Sequence, residues 1–475
     1  MARSQELFAF WIAGAVLISW QLFVPPIIGL ADQGDFVRIL GPLGYAPEPK
    51  GPEHKYSYLT RKYVWDPSYR EPRWEQISSE FIPATIAVLL NRGLFSSQQF
   101  DLTIVGFVHA AFFLLALYRL LRALQPLANY RIAWLAVLFI LTDVAYVAYW
   151  NSLYTEPASC IWLLFLIAET ILLCTSDKVG ALPIARWSIF AVLLITAKTQ
   201  NAWLCAPLAI YGFLLVWRAA YPSARCVAAA GVVAVLAAGV VMYRSLLPAP
   251  RLVGIYNMIF MAVLPESKDP ASDLKALRLD PKYVQYSGTL AWSPNTGIAD
   301  GYLVNAVQAA VTPITLVEFY VRRPSRMWTH IRSLLPMALS LRPEFCGNFD
   351  PAAGKPPGAK SYNFAIWSQF HERILSSIAV FLLVLVAITP LGCGIILSKR
   401  KLALSFRRSL EMAMLLAACC LLAFLSAAFG DAWDNVKHQY LFNLLLDVGI
   451  VWVALVGLSA LQAVLRKGAG IAVVN

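Results

Sequence analysis

Charge is what this sequence has least of. Of 475 residues only 14% are charged, while 59% are hydrophobic; a soluble domain carries roughly 25% charged residues. That excludes an ordinary globular domain. A cysteine pattern is the second absence. There are eight cysteines but no CxxC and no Cys/His spacing suited to zinc, so neither a disulfide framework nor a zinc site is indicated. Cys160, Cys174, Cys205, Cys226, Cys393, Cys419 and Cys420 lie in or beside apolar runs, where cysteine serves as a small apolar residue, and Cys346 stands apart in a polar segment. No basic-aromatic module for reading bases appears. The net charge of +12 therefore does not point to nucleic acid; much of it follows the Lys/Arg bias of cytoplasmic loops. No internal repeat is visible, so the inverted-repeat mark of many transporters is missing.

What is present is a series of apolar runs near the ~20 residues that cross a bilayer. They predict an integral, all-α, polytopic membrane protein with about ten spans: 7–29, 101–122, 132–150, 157–175, 185–199, 202–218, 226–243, 374–397, 409–430 and 439–463. The first run, 7–30, is too long for a signal-peptide core and lacks a small-x-small cleavage site, so it reads as a retained helix. The connections carrying Arg119, Arg122, Arg131, Lys178, Arg186, Arg218 and Arg225, the stretch SKRKLALSFRR (398–408), and Arg466 with Lys467 fall on one side with both termini. That side is expected to be cytoplasmic. Three parts follow: an N-terminal transmembrane module over 1–243 containing a first outer loop (30–100), a large outer loop (244–373), and C-terminal transmembrane helices (374–475).

The outer side receives both long loops and three short polar ones, NSLYTEP (151–157), AKTQN (197–201) and GDAWDNVKHQY (430–440). The stretches 70–95 and 316–341 mix charge, aromatics and apolar residues as interfacial helices do. The second carries Arg322, Arg323, Arg326 and Arg332.

Chemistry concentrates in these outer segments. LADQGDFVRILG (30–41) holds Asp32 and Asp35, with Arg38 one helical turn beyond. The acids are either solvated loop or capping groups, or desolvated carboxylates acting as a general base or holding a divalent cation. Arg38 either neutralises the acid or binds a phosphate bidentately. Glu156 before Pro157 fits a helix start; alternatively Asn151, Tyr154 and Glu156 bind sugar hydroxyls. Lys198 either snorkels to the interface or receives a phosphate. Lys437 and His438 together suit a phosphate better than either alone. The candidate set is therefore Asp35 and Asp32 for catalysis; Arg38, Lys198, Lys437 and His438 for phosphate; Tyr154, Glu156, Gln200 and Asp434 for sugar or acceptor. No cofactor and no metal ligand set is assigned. Asp143 and Asp447, inside spans, each call for a partner or a function.

Taken in order, QGDFVRI (33–39), YTEPA (154–158), AKTQN (197–201) and DAWDNVKHQYLFNLLLD (431–447) resemble the GT-C superfamily of membrane glycosyltransferases, and more narrowly the bacterial glycan-biosynthesis hexose transferases of the WsfD-like group. The resemblance runs from residue 31 to 447. It implies a hexose moved from a polyprenyl-phosphate donor to a glycan or lipid acceptor on the periplasmic face, with Asp35 as base and Asp32 second. The pattern is GDF rather than the DxD or adjacent-acid forms, which makes a required metal less expected. Two other classes fit the same composition. A flippase of lipid-linked sugars would need the cations but no base. An O-antigen polymerase or ligase would lean on the arginines of 316–332.

Overall fold

The computed structural model describes residues 2–30, 35–48, 61–70, 72, 75–176, 178–356, 358–398 and 402–468. Helices dominate because backbone N–H and C=O groups in lipid must be satisfied within the segment itself. The first half runs α1 (Ala2–Phe23), α2 (Phe36–Ile39), α3 (Phe81–Leu94), α4 (Thr103–Leu124), α5 (Tyr130–Leu141), α6 (Val144–Val147), α7 (Glu156–Cys174), α8 (Ala181–Ala197), α9 (Cys205–Arg218) and α10 (Pro222–Arg244). The large loop folds into α11 (Pro248–Asn257), α12 (Pro270–Ala276), α13 (Gly301–Ala310), α14 (Pro313–Val321) and α15 (Pro324–Ala338). The chain closes with α16 (Ile366–Phe370), α17 (Ala379–Leu397), α18 (Leu404–Ala428), α19 (Asn435–His438) and α20 (Tyr440–Gly468).

Among the described residues eight helices are long and apolar enough to cross a membrane, or nine if α13 and α14, bent by 70°, count as one broken span. The protein is thus polytopic and mostly helical, as expected. Two of the ten expected spans rest on shorter helices, the 12-residue α5 and the 17-residue α8. The run 132–150 stops at Leu141 because Asp143 starts a new helix. Its carboxylate accepts the Ala145 N–H at 2.9 Å and the Ser368 N–H at 2.9 Å. Burial of Asp143 is therefore explained by capping two backbone segments. Asp447 also finds partners: Tyr146 Oη and Trp367 Nε1 donate to its Oδ2 at 2.6 and 2.7 Å, and His371 Nε2 lies 3.3 Å from Oδ1.

α4 packs on α1 and α7, α8 on α7 and α10, and α18 on α17 and α20. In lipid, helix association gains little from hiding apolar surface, so close backbone approach and hydrogen bonds matter more. Gly106 of α4 supplies one such approach: a Cβ there would overlap Asn151 Oδ1. Asn151 in turn donates to Leu22 O (3.1 Å) and Ile28 O (2.8 Å), tying the end of α1 to the α6–α7 turn. At the end of the bundle where α7 and α18 carry Glu169 and Glu411, arginines in or at the ends of the helices meet these acids. Arg119 and Arg186 reach Glu169 at 2.7 and 3.3 Å, and Arg218 and Arg408 each reach Glu411 at 3.4 Å.

The first loop adds a small antiparallel sheet that the sequence pattern did not announce: β1 (Tyr45–Pro47), β2 (Lys62–Trp65) and β3 (Gln99–Asp101), with Tyr45 opposite Trp65 and Tyr63 opposite Phe100. Tyr45, Tyr63 and Phe100 are fully buried and share a core with Phe36, Ile39 and Val88, which fastens α2 to α3 and α4. The Arg-rich stretch 316–341 is two helices, broken at Arg323–Pro324, where proline takes the first turn of α15. Arg326 and Arg323 turn toward Asp273 of the same layer, at 2.6 and 3.9 Å, whereas Arg322 pairs with Glu318 at 3.2 Å on the exposed side.

Candidate functional site

Four chain segments bring the candidate side chains together at the end of the bundle opposite Glu169 and Glu411. The one-turn helix α2 buries Phe36, Val37 and Ile39, so Asp35 and Arg38 lie on its other side, their charged atoms 3.3 Å apart. Glu156 opens α7, with Pro157 in the first turn. Lys198 ends α8 in an extended conformation (φ −145°, ψ 142°) before a short 3-10 turn over Thr199–Leu204. That end is held by Ser78, whose Oγ donates to Ala197 O at 2.6 Å. Asp434 precedes α19 in the left-handed region, at φ 57°. Aspartate is among the few non-glycine residues that adopt this conformation.

The side chains form two sets of contacts, brought together by the adjacent residues Lys437 and His438. Lys437 Nζ lies 3.1 Å from Asp35 Oδ2 and 2.9 Å from Asp434 Oδ2, and 4.7 Å above the Tyr154 ring. Lys198 Nζ lies 2.7 Å from Glu156 Oε1 and 3.2 Å from His438 Nδ1. Gln200 Nε2 donates to His438 O at 2.7 Å. An ammonium has only donors, so His438 accepts at Nδ1 and carries its proton on Nε2. Asp32 lies outside the described residues. Among the described residues no group of three or more His, Cys, Asp or Glu is arranged to hold a metal ion.

Electrostatics divide the acids. Burial alone would raise Asp35, but the charges of Arg38 and Lys437 outweigh it and hold the carboxyl well below the usual carboxylate range. Burial works against the Lys437 charge too, yet Asp35, Asp434 and Glu156 more than offset this and hold the ammonium firmly protonated. His438 is pushed far down by burial and by the positive charges of Lys198 and Lys437, so the imidazole is neutral. Asp434 is raised, because burial outweighs Lys437. Asp431 is raised to about 6, by burial and by Asp434, although Asn257 and the Trp433 N–H oppose the shift.

Three acids (Asp35, Glu156, Asp434) thus face three cations (Arg38, Lys198, Lys437). Each cation is already matched, so an incoming phosphate must take a cation's spare donors or displace a carboxylate. Such an array can exchange ion pairs, position a hydroxyl and accept its proton.

Sequence reasoning missed a supporting pair. Glu80 and His109 are both fully buried, with Glu80 Oε1 2.6 Å from His109 Nε2, and His109 Nδ1 donating to Trp150 O at 2.8 Å. The backbone N–H of Ala158 also reaches Glu80, which places this pair beneath the start of α7. A histidine inside the apolar run 101–122 was the available signal, since an ionisable group in a span needs a reason.

The model of a family described as the YfdI N-terminal transmembrane domain matches residues 2–469. No curated protein matches the chain. Among solved structures, the archaeal oligosaccharyltransferase AglB from Archaeoglobus fulgidus, in complex with an inhibitory peptide and a dolichol-phosphate, is similar at 12% identity and a TM-score of 0.38, over 97% of this chain and 52% of that one. The chain therefore spans about half the length of that protein.

Proposed function

The chain belongs to the YfdI N-terminal transmembrane domain family, and from that premise we propose that it is a membrane glycosyltransferase of the GT-C type. It moves a hexose from a polyprenyl-phosphate-linked donor to a glycan or lipid acceptor on the periplasmic face of a bacterial inner membrane, with both termini cytoplasmic. The narrower WsfD-like likeness belongs to the same reading. The observation that carries it is the meeting of Asp35 with Lys437, and of Lys198 with Glu156 and the adjacent His438, at one end of the bundle.

Asp35 is the base. At rest it is a weak one, because Arg38 and Lys437 stabilise its charged form. A donor phosphate that draws Lys437 and Arg38 toward itself removes that stabilisation, and the proton affinity of Asp35 rises as the donor binds. The acceptor hydroxyl then gives its proton to Asp35. Its oxygen bonds to the anomeric carbon, and the bond from that carbon to the phosphate oxygen breaks with its electron pair leaving on the phosphate. The leaving group is a stable anion, so one carboxylate suffices and a single displacement inverts the centre. Lys198, held by Glu156, and neutral His438 supply further donors on the phosphate side. Tyr154, Gln200 and Asp434 stand where sugar or acceptor hydroxyls are met.

The test is Asp35→Asn in the full chain, reconstituted with a radiolabelled polyprenyl-phosphate hexose and a glycolipid acceptor. Transfer should fall by roughly 10²–10⁴-fold, the usual contribution of a general base, in a protein that still folds and inserts. Transfer near the starting level in a folded variant overturns the assignment.

A further inference from the structure

Tyr149 is fully buried in the turn between α6 and α7. Its hydroxyl has no hydrogen-bond partner among the described residues. Other phenols at the same depth find one: Tyr146 donates to Asp447 at 2.6 Å, Tyr256 meets Thr289 at 2.6 Å, and Tyr211 meets Cys174 at 3.4 Å. Tyr320 and Tyr440 are orphaned as well, but Tyr320 lies in the large-loop layer, and the neighbours of the Tyr440 hydroxyl are Cys160 and Trp150. A buried O–H without a partner costs stability, so each one calls for an explanation.

The Tyr149 hydroxyl is turned to the site. Cys346, Glu156 and Asp434 all act on it electrostatically. Glu156 belongs to the contact set of Lys198 and His438, and Asp434 to that of Asp35 and Lys437. The hydroxyl therefore lies where the two sets meet. Its ring packs 4.8 Å from that of Tyr440 and 6.2 Å from that of Tyr154, over which Lys437 sits. Burial, and after it Cys346, Glu156 and Asp434, raise the phenol well above its usual value, so it stays protonated and serves as a donor.

The turn is pinned at three consecutive residues. Tyr149 O accepts from Ser152 Oγ at 2.5 Å, Trp150 O accepts from His109 Nδ1 at 2.8 Å, and the Asn151 side chain holds Leu22 O and Ile28 O. With the backbone fixed and the ring clasped, the hydroxyl is preorganised. The buried Glu80–His109 pair contributes to this through the Trp150 carbonyl.

The surroundings choose the occupant. A phosphoryl oxygen suits this point poorly, because it only accepts and the carboxylates of Glu156 and Asp434 repel it. A sugar hydroxyl both accepts and donates. It can accept from Tyr149 and donate to one of the two acids. Glu156 holds Lys198, which the transfer reading sets on the donor phosphate, so the sugar joined to that phosphate is the one presented here.

We infer that Tyr149 donates a hydrogen bond to one hydroxyl of the transferred hexose and thereby sets which hexose the site accepts. The inference rests on the transfer reading, which supplies the hexose.

The test is calorimetric binding to the full chain in detergent. Polyprenyl-phosphate glucose, galactose and mannose are titrated first, then the monodeoxy derivatives of the tightest. Wild type should bind one derivative about tenfold or more weakly than its parent, because a site built to pair a hydroxyl rejects the analogue lacking it. In Y149F that gap should close while the gaps at other positions stay. The melting temperature should hold level or rise, since the substitution removes an unpartnered hydroxyl. No gap in the wild type, or a gap that survives in Y149F, overturns the assignment. A lower melting temperature with equal weakening toward every derivative also overturns it, because Tyr149 is then structural. Transfer by the wild type is assayed separately: binding that depends on Tyr149 without any transfer sinks the transferase reading alone, and transfer with binding indifferent to Tyr149 sinks this inference alone.

Discussion

Lys437 shows how far single residues carry this site. Its ammonium is buried between two carboxylates, and removing one partner of such an arrangement leaves uncompensated charge, typically about 3–5 kcal/mol. Lys437→Met should therefore lower stability far more than Asp434→Asn, which leaves the Asp35 pairing in place. Unfolding of both variants in one detergent measures the difference, and equal losses would show that the two acids are held apart by other means. Asp431 gives a pH signature. Its folded value near 6 exceeds the unfolded carboxylate value, so the folded state holds the extra proton and this residue's contribution to stability falls as pH rises from about 4 to about 6. Asp431→Asn should flatten the melting temperature across that window, and an unchanged slope would remove Asp431 as its source. The polar residues were legible because each interrupts an apolar run. Their pairing was not: Asp35 and Lys437 are separated by 402 positions, and nothing local in either segment names the other.

At the scale of elements, helices were legible from apolar length and the exceptions have physical causes. The break before α6 comes from one aspartate whose side chain satisfies two backbone donors better than a continuous helix would. The strands β1 to β3 are three or four residues each, too short for an alternation pattern to stand out. They exist because the buried rings Tyr45, Tyr63 and Phe100 pack against the helix that presents Asp35. The approach of α4 to the α6–α7 turn depends on a missing side chain. Gly106→Ala pushes a methyl group into Asn151 and with it the two carbonyls that Asn151 holds. A loss of about 1–3 kcal/mol is expected, read as a lower melting temperature with partial recovery when Asn151→Ala is added. Full wild-type stability in G106A would mean that α4 shifts freely at this point.

Across the whole molecule, the two ends of the bundle use charge in opposite ways. At one, arginines converge on Glu169 and Glu411 within or beside helices; at the other, three acids and three cations from loops interleave. The arginines of the large loop belong to neither set. Arg326 holds Asp273, Ser267 and the Val263 carbonyl within its own layer, whose core includes Ile259, Leu274 and Phe319. Arg326→Ala should thus make 248–338 more sensitive to protease, while Arg322→Ala, which breaks only an exposed pair with Glu318, should leave both folding and transfer intact. Loss of transfer in a folded Arg322→Ala protein would favour the polymerase or ligase chemistry over the one proposed. The wide separation of Asp35 from Lys437 also has a consequence for synthesis. At 5–20 residues per second, about 20–80 s pass between the making of the two. During that interval Asp35 has only Arg38 of its own short helix as a partner, so the site is completed only when the last helix docks, and a chain cut short before residue 437 leaves the inserted N-terminal half without the buried cation that holds Asp35 from the other side.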